Sequence, residues 1–357
     1  VTGSCEVKFG ADLSGWTGKL LVDGADAQSL KTNGVSMPAI EINKGGGTCT
    51  AQDAVTVHDA DGFLLAAGTY DDGGNAHNIA GDIISTGGTR TSTAKWTMTA
   101  DGNLSIGLRV ISEFANDVGV TTTITGYSRV KKLSIAGMLS GTQIIEVNDG
   151  PANWLAGSTG TLSCPMMIRI TSNSPGADIT LGDKDLRIFS TSTHTIALAG
   201  VDLGTGDLWI YGDGAGDSMT VTLSGPLTCR DIILGDSNSN GLGALTLGNT
   251  ATIRSVAEGG GGGANTINLA SCAITQTGTF DGTNITPTNT AAQFIGGTIA
   301  NLDASGTATI NALSGVTDGG GNVNVNFFDG HHYLFEFDEA YRSFEAYKAF
   351  NAYSLRR

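Results

Sequence analysis

The sequence predicts an all-β fold, a parallel β-helix with windings of about 22–25 residues, and three observations carry that reading. The first is a fourfold echo. Thr195-Ile196-Ala197-Leu198-Ala199-Gly200 returns as Thr220-Val221-Thr222-Leu223-Ser224-Gly225, then as Ala244-Leu245-Thr246-Leu247-Gly248-Asn249 and as Thr266-Ile267-Asn268-Leu269-Ala270-Ser271. The second is alternation. In each unit apolar residues alternate with small or polar ones, so each is a short strand with one buried face. The third is spacing. The leucines Leu198, Leu223, Leu247 and Leu269 return at nearly equal intervals, each the length of one solenoid winding. A unit of that length cannot bury its own apolar face and must stack on copies of itself, which makes these leucines a structural ladder.

The rest of each winding follows the same order. After the ladder strand comes a second apolar stretch, Val201 with Leu203 and then Leu208 to Tyr211 in the first unit, and then a loop such as Gly212 to Ser218. The next units carry Ile232 to Leu234 before Gly235 to Gly241, Ile253 and Val256 before Gly259 to Gly263, and Ile274 and Phe280 before Asp281 to Asn284. Two or three strands and one variable polar loop per winding is a parallel β-helix with unequal loops along one side. Weaker members extend the series from Met166 to Phe328. Roughly ten windings at about 4.8 Å each make a rod on the order of 50 Å long. Residues 1–160 share the texture without a clear period, which leaves irregular windings and a β-sandwich both open. We divide the chain into this less regular N-terminal β region, a parallel β-helix over 161–330 and a terminal segment over 331–357.

That last segment has a different composition. Ten of the 23 aromatic residues fall between Phe327 and Tyr353. Phe335 to Leu355 lacks Gly and Pro and reads as a short aromatic-rich helix. Phe335, Phe337, Tyr341, Phe344, Tyr347, Phe350 and Tyr353, with Arg356, are the candidate assembly residues. The last five rings recur at every third position, so they wind round all sides of a helix of 3.6 residues per turn. Two roles are open, a cap on the exposed strand edge and an anchor in a neighbouring subunit. One chain can hardly cover such a ring of aromatics by itself, which favours assembly.

Composition narrows the function. Net charge is −15, and the nearest approach to a basic cluster is Arg129, Lys131 and Lys132, too small to track a phosphate backbone, so nucleic acid is not an expected partner. No stretch approaches the twenty apolar residues of a membrane span. Five cysteines without metal-site spacing give no zinc site; Cys164, Cys229 and Cys272 read as core residues, and Cys5 and Cys49 are candidates for a local bridge.

Catalysis needs convergent groups. A glycosidase would show two carboxylates at equivalent positions of neighbouring windings, and the strand-associated Asp202, Asp207 and Asp231 do not read as such a pair. Asp71-Asp72 followed by His77 reads as a solvated turn, and Arg169, Arg187, Arg230 and Arg254 stand isolated within strands. Asp59 to Gly62 and Gly212 to Asp217 do not complete a calcium loop. We expect no enzyme activity, no cofactor and no metal.

Gly/Thr/Asn-rich windings, no catalytic cluster and an aromatic terminus together resemble the β-helical virion proteins of tailed bacteriophages, of the tail-spike, tail-fibre or capsid-decoration type. The phrase Ala308 to Phe328 is similar to the final winding of many such chains. The resemblance implies a non-enzymatic structural protein at the virion surface, acting in assembly, stabilisation or host attachment. It further implies a homo-oligomer, a trimer by preference, in contact with other virion proteins and with host-surface glycan. Two other expectations compete: a β-helical polysaccharide depolymerase, and a bacterial surface adhesin or filament subunit.

Overall fold

The computed structural model describes residues 3–8, 10–148, 160–171, 179–236, 241–259, 265–269, 273–283, 285–290, 293–303, 310–313 and 315–327. Among them there are only strands, turns and bends, and every strand pairing is parallel. The longest sheet has fifteen strands and takes one from each winding, from Ser36–Met37 to Thr317–Asp318. Its inward residues stack in register: Leu186 on Leu208, Leu208 on Ile232, Ile232 on Val256, Val256 on Phe280. At about 4.8 Å per rung the sheet is roughly 65–70 Å long.

The rod is longer than the repeat alone predicts, because residues 36–148 supply seven of the fifteen strands. The described part of the N-terminal region is therefore wound, and the sandwich alternative falls. Its windings have two strands. One joins the long sheet, and the other joins an 11-stranded sheet running from Cys5–Glu6 to Thr161–Ser163. The period is hidden because the interval between successive partners in the long sheet varies. It is wider at Val55–His77 and Ile145–Met166 and narrower at Lys95–Glu113 and Ser128–Ile145. Bulges at Gly107/Val110 and Met98/Ala100 blur the alternation further.

From His194 to Thr290 a third strand enters the windings. The 11-stranded sheet hands over to an eight-stranded one through the Leu162–Leu181 bridge, and a five-stranded sheet, His194–Leu198 to Ile285–Thr290, is inserted before it. The ladder strands of the sequence are this inserted sheet. Leu198 pairs with Leu223 and Leu223 with Leu247, while Leu269 follows one position after the Thr246–Asn268 pairing. All four are buried, as is the parallel column Ile196, Val221, Leu245 and Ile267. One apolar cluster fills the rod from Leu20 to Ala312. Each fully buried aliphatic chain in it contributes about 2 kcal/mol.

Cys49, Cys164 and Cys229 are buried free thiols and Cys5 is a half-buried one, so no Cys5–Cys49 bridge forms; Cys272 lies outside the described residues. The aromatic segment with its expected helix, residues 331–357, also lies outside them.

Turns set the winding pitch, and Gly62 shows how tightly. Its φ is +60°, and a Cβ there would collide with the backbone carbonyl of Asp82 on the next winding. Gly34 has a φ of +77° but open space around it. Both alanine variants carry left-handed strain of about 1 kcal/mol, and only Gly62→Ala adds a backbone clash. Thermal unfolding should therefore show a clearly larger fall in Tm for Gly62→Ala than for Gly34→Ala.

Candidate binding face on the long sheet

The aspartates that crowd the loops are tied to neighbouring windings. Asp53 Oδ1 accepts the N–H of Thr32 at 2.8 Å, Asp82 Oδ1 that of Asn103 at 2.8 Å, Asp101 Oδ1 that of Thr121 at 2.7 Å and Asp183 Oδ1 that of Thr205 at 2.8 Å. Each holds a backbone amide one winding away, in a turn or near the start of a strand. Much of the acidity of the chain is thus turn chemistry.

Asp207 and Asp231, read above as unpaired, do line up. Each immediately precedes one member of the Leu208–Ile232 pair, and Asp185 stands in the same place before Leu186. The column is occupied by arginines of the following windings. Arg230 grips Asp207 through Nε at 2.8 Å and Nη2 at 2.5 Å, and Arg254 grips Asp231 through Nε at 2.8 Å and through Nη2. Burial alone would raise the Asp231 carboxyl, but the hydrogen bonds from Arg254 and Ser255 outweigh it and hold the pKa below the usual value. These are bidentate structural pairs. Their trace in the sequence is an Asp before an apolar strand with an Arg one winding later, a spacing legible only once the winding length is known.

Asp72 and His77 are not a solvated turn. Asp72 is buried and accepts N–H groups from Gly74, Thr93 and Ala94 and the indole of Trp96. Burial alone would raise its carboxyl; these donors and Ser92 outweigh it and hold the pKa below the usual value. His77 lies inside the rod. Its Nδ1 is 2.7 Å from the carbonyl of Asn75, so the proton sits there and Nε2 accepts from the Tyr70 hydroxyl at 2.6 Å. Its ring stacks on Trp96 at 4.0 Å, and the Arg90 guanidinium lies 4.5 Å from the Trp96 ring. Burial pushes the His77 pKa down to about 4.

One outward face has a different character. On Met166–Ile170 the inward residues are Met166, Ile168 and Ile170, so Met167 and Arg169 point away from the core. In register with them run two outward columns, Arg129, Glu146, Met167, Arg187, Trp209, Ile233 and, beside it, Asn148, Arg169, Phe189, Tyr211. The outer face of a half-buried sheet is ordinarily polar; this one alternates cations with apolar and aromatic groups. Phe189 stacks on Tyr211 at 5.6 Å and 15°, outside the apolar cluster that fills the rod. Arg187 lies 5.2 Å from the Trp209 ring, and Arg129 lies 5.9 Å from that of Tyr127.

Glu146 anchors one end. Its Oε2 accepts from Arg129 Nη2 at 3.0 Å and its side chain is only 2% exposed. Burial pushes the carboxyl up, to about 7, against the pull of Arg169. Burial likewise raises the Tyr211 hydroxyl to about 12. Four polar atoms here are buried without a hydrogen-bond partner: Arg129 Nε, Glu146 Oε1, Arg169 Nε and Trp209 Nε1. Unspent groups of this kind are uncommon in folded proteins.

Among the described residues no group of three His, Cys, Asp or Glu side chains could hold a metal ion, and no helix is long and apolar enough to cross a membrane. The strand arginines Arg169 and Arg187, read above as isolated, belong to this face; Asp202 pairs with Thr180 and Thr228 on the eight-stranded sheet and points outward. No protein-family model, curated protein or solved structure matches the chain. Its own geometry defines its class, a parallel β-solenoid with a cation- and aromatic-rich stripe on one sheet.

Proposed function

We propose that this chain is a non-enzymatic structural protein of a virion surface, a stiff rod that contributes to particle assembly or host attachment. The observation that supports this reading is the uninterrupted fifteen-stranded parallel sheet, one strand per winding, cross-tied at its turns by aspartates. Such a stack resists bending because the strands of each winding are hydrogen-bonded to those of the next. The reading includes a homo-oligomer, a trimer by preference, joined through the aromatic residues between Phe335 and Arg356. Immuno-electron microscopy of purified particles tests it, with label on the particle surface as the expected result and absence from every particle fraction as the contrary one. Deleting residues 331–357 should lower the solution mass to that of a monomer while the β circular-dichroism spectrum stays intact.

A second reading, a polysaccharide depolymerase, is favoured by one observation. Glu146 holds a carboxyl raised to about 7 beside Arg169, the state a general acid needs. Release of reducing ends or unsaturated products from acidic polysaccharides, abolished by Glu146→Gln, would establish it in place of the first.

A further inference from the structure

We propose that the outward stripe from Arg129 to Trp209 is a binding site for an acidic oligosaccharide, its oxyanion groups held by Arg129 and Arg169 and separate sugar rings laid against Met167 and Trp209. The argument begins with the unpaired groups. Arg129 Nε, Arg169 Nε and Trp209 Nε1 are three donors without acceptors, and Glu146 Oε1 is one acceptor without a donor. Three N–H groups ask for carboxylate or sulfate oxygens, and a lone carboxylate oxygen asks for a hydroxyl. A sugar acid carries both. Arg129, Arg169 and Trp209 are also partly open to solvent, so rotation about side-chain bonds brings the unspent donors to a ligand resting on them.

Shape and charge agree with this. From Arg129 to Trp209 the column crosses four rungs, about 19 Å, the reach of a short oligosaccharide rather than of a single small ion. Met167 and Trp209 supply the apolar surface that the faces of sugar rings prefer, and Arg187 over Trp209 adds a third cation. The chain as a whole has a net charge of −15, so its general field repels a polyanion, and a stripe with three arginines is the place where one can settle. Nearby acids are Glu146, its carboxyl raised by burial to about 7 and in contact with Arg129, and Asp213 and Asp236 at the loop side.

The site rests on the attachment reading for its biological sense and on this face alone for its chemistry. Isothermal titration calorimetry of the full chain, with an oligogalacturonate, a sulfated galactan oligosaccharide and a neutral oligosaccharide of equal length, tests it. Binding of at least one acidic ligand is expected, weakened at least about tenfold by Arg169→Gln and by high salt. Trp209→Phe should remove the ligand-induced change in tryptophan emission, and it serves alone if Arg169→Gln fails to give the wild-type β spectrum. Arg230→Gln, on the separate Asp–Arg column, should leave binding unchanged. Whichever acidic ligand binds identifies the oxyanion. No heat with either acidic ligand, equal binding of the neutral one, or affinity indifferent to both face variants overturns the site. A chain that binds but is missing from every particle overturns only the virion reading, and a chain on particles that binds neither acid overturns only the site.

Discussion

Leu223→Asp is expected to abolish cooperative folding of the β-solenoid or to lower its stability by at least about 4 kcal/mol. Leu223 is completely buried and sits between Leu198 and Leu247 in the inserted sheet. Truncation alone removes about 2–4 kcal/mol of apolar burial and leaves a cavity. The carboxylate then has no cation within the column to pair with, so several kcal/mol of desolvation are added. In a stack of windings each interface supports the next, and a lost interface weakens its neighbours. Thr222 is the internal control, since it faces outward in the same strand. Denaturant midpoints followed by far-ultraviolet circular dichroism should fall steeply for Leu223→Asp, less for Leu223→Ala, and little for Thr222→Asp.

The second large effect is a pair of opposed pH dependences. His77 has an unperturbed pKa of 6.5 and a folded value of about 4. Between those values the unfolded chain takes up a proton that the folded chain refuses, so stability falls as pH drops from 6.5 toward 4. A shift of that size corresponds to about 3 kcal/mol. Glu146 works the other way. Its folded pKa of about 7 lies above the unperturbed 4.5, so over that range the folded chain holds the extra proton and acidification favours it. Between pH 7.5 and pH 5 the two contributions are of similar size and opposite sign, so urea unfolding should show little net acid loss in the wild type. Glu146→Gln should uncover the acid loss that belongs to His77, and His77→Gln should leave stability rising as the pH falls. Identical pH profiles for all three proteins would contradict both assignments.

Winding length, ladder strands and inward leucines were plain from the sequence in residues 194–269, because a near-constant spacing recurs there and each strand alternates cleanly. The first half was opaque for a physical reason. Its two-strand windings differ in length, as the partners Ser128–Ile145 and Val55–His77 show, so no fixed period survives, although the short β-type runs Val55 to Val57 and Thr121 to Ile124 are strands. Polar residues misled in both directions. His77 and Asp72 resemble a solvated turn beside Gly73 and Gly74, yet their partners Tyr70 and Trp96 bring them inside. Arg169, Arg187 and Trp209 are scattered in sequence and adjacent only across rungs, so the stripe they form with Glu146 emerges from register and not from any local motif. The loop aspartates carried no such sign, since Asp53, Asp82, Asp101 and Asp183 recur at no fixed interval and only the register shows each to lie one winding from the amide it holds.

Stacking of windings in the observed register underlies all of this, and engineered disulfides test it most directly. Adjacent parallel rungs place paired Cα atoms about 4.8 Å apart, within the range of about 4.4–6.8 Å that a disulfide spans. Thr222 pairs with Thr246 in the three-strand half, and Thr123 with Ser140 in the two-strand half. Cysteines introduced at either pair should cross-link under mild oxidation, detected as a joined peptide by mass spectrometry, with the native β spectrum retained. Cysteines at Thr222 and Asn268, two rungs apart, should remain free. Failure of both adjacent pairs, or equal cross-linking of the distant one, would contradict the stack.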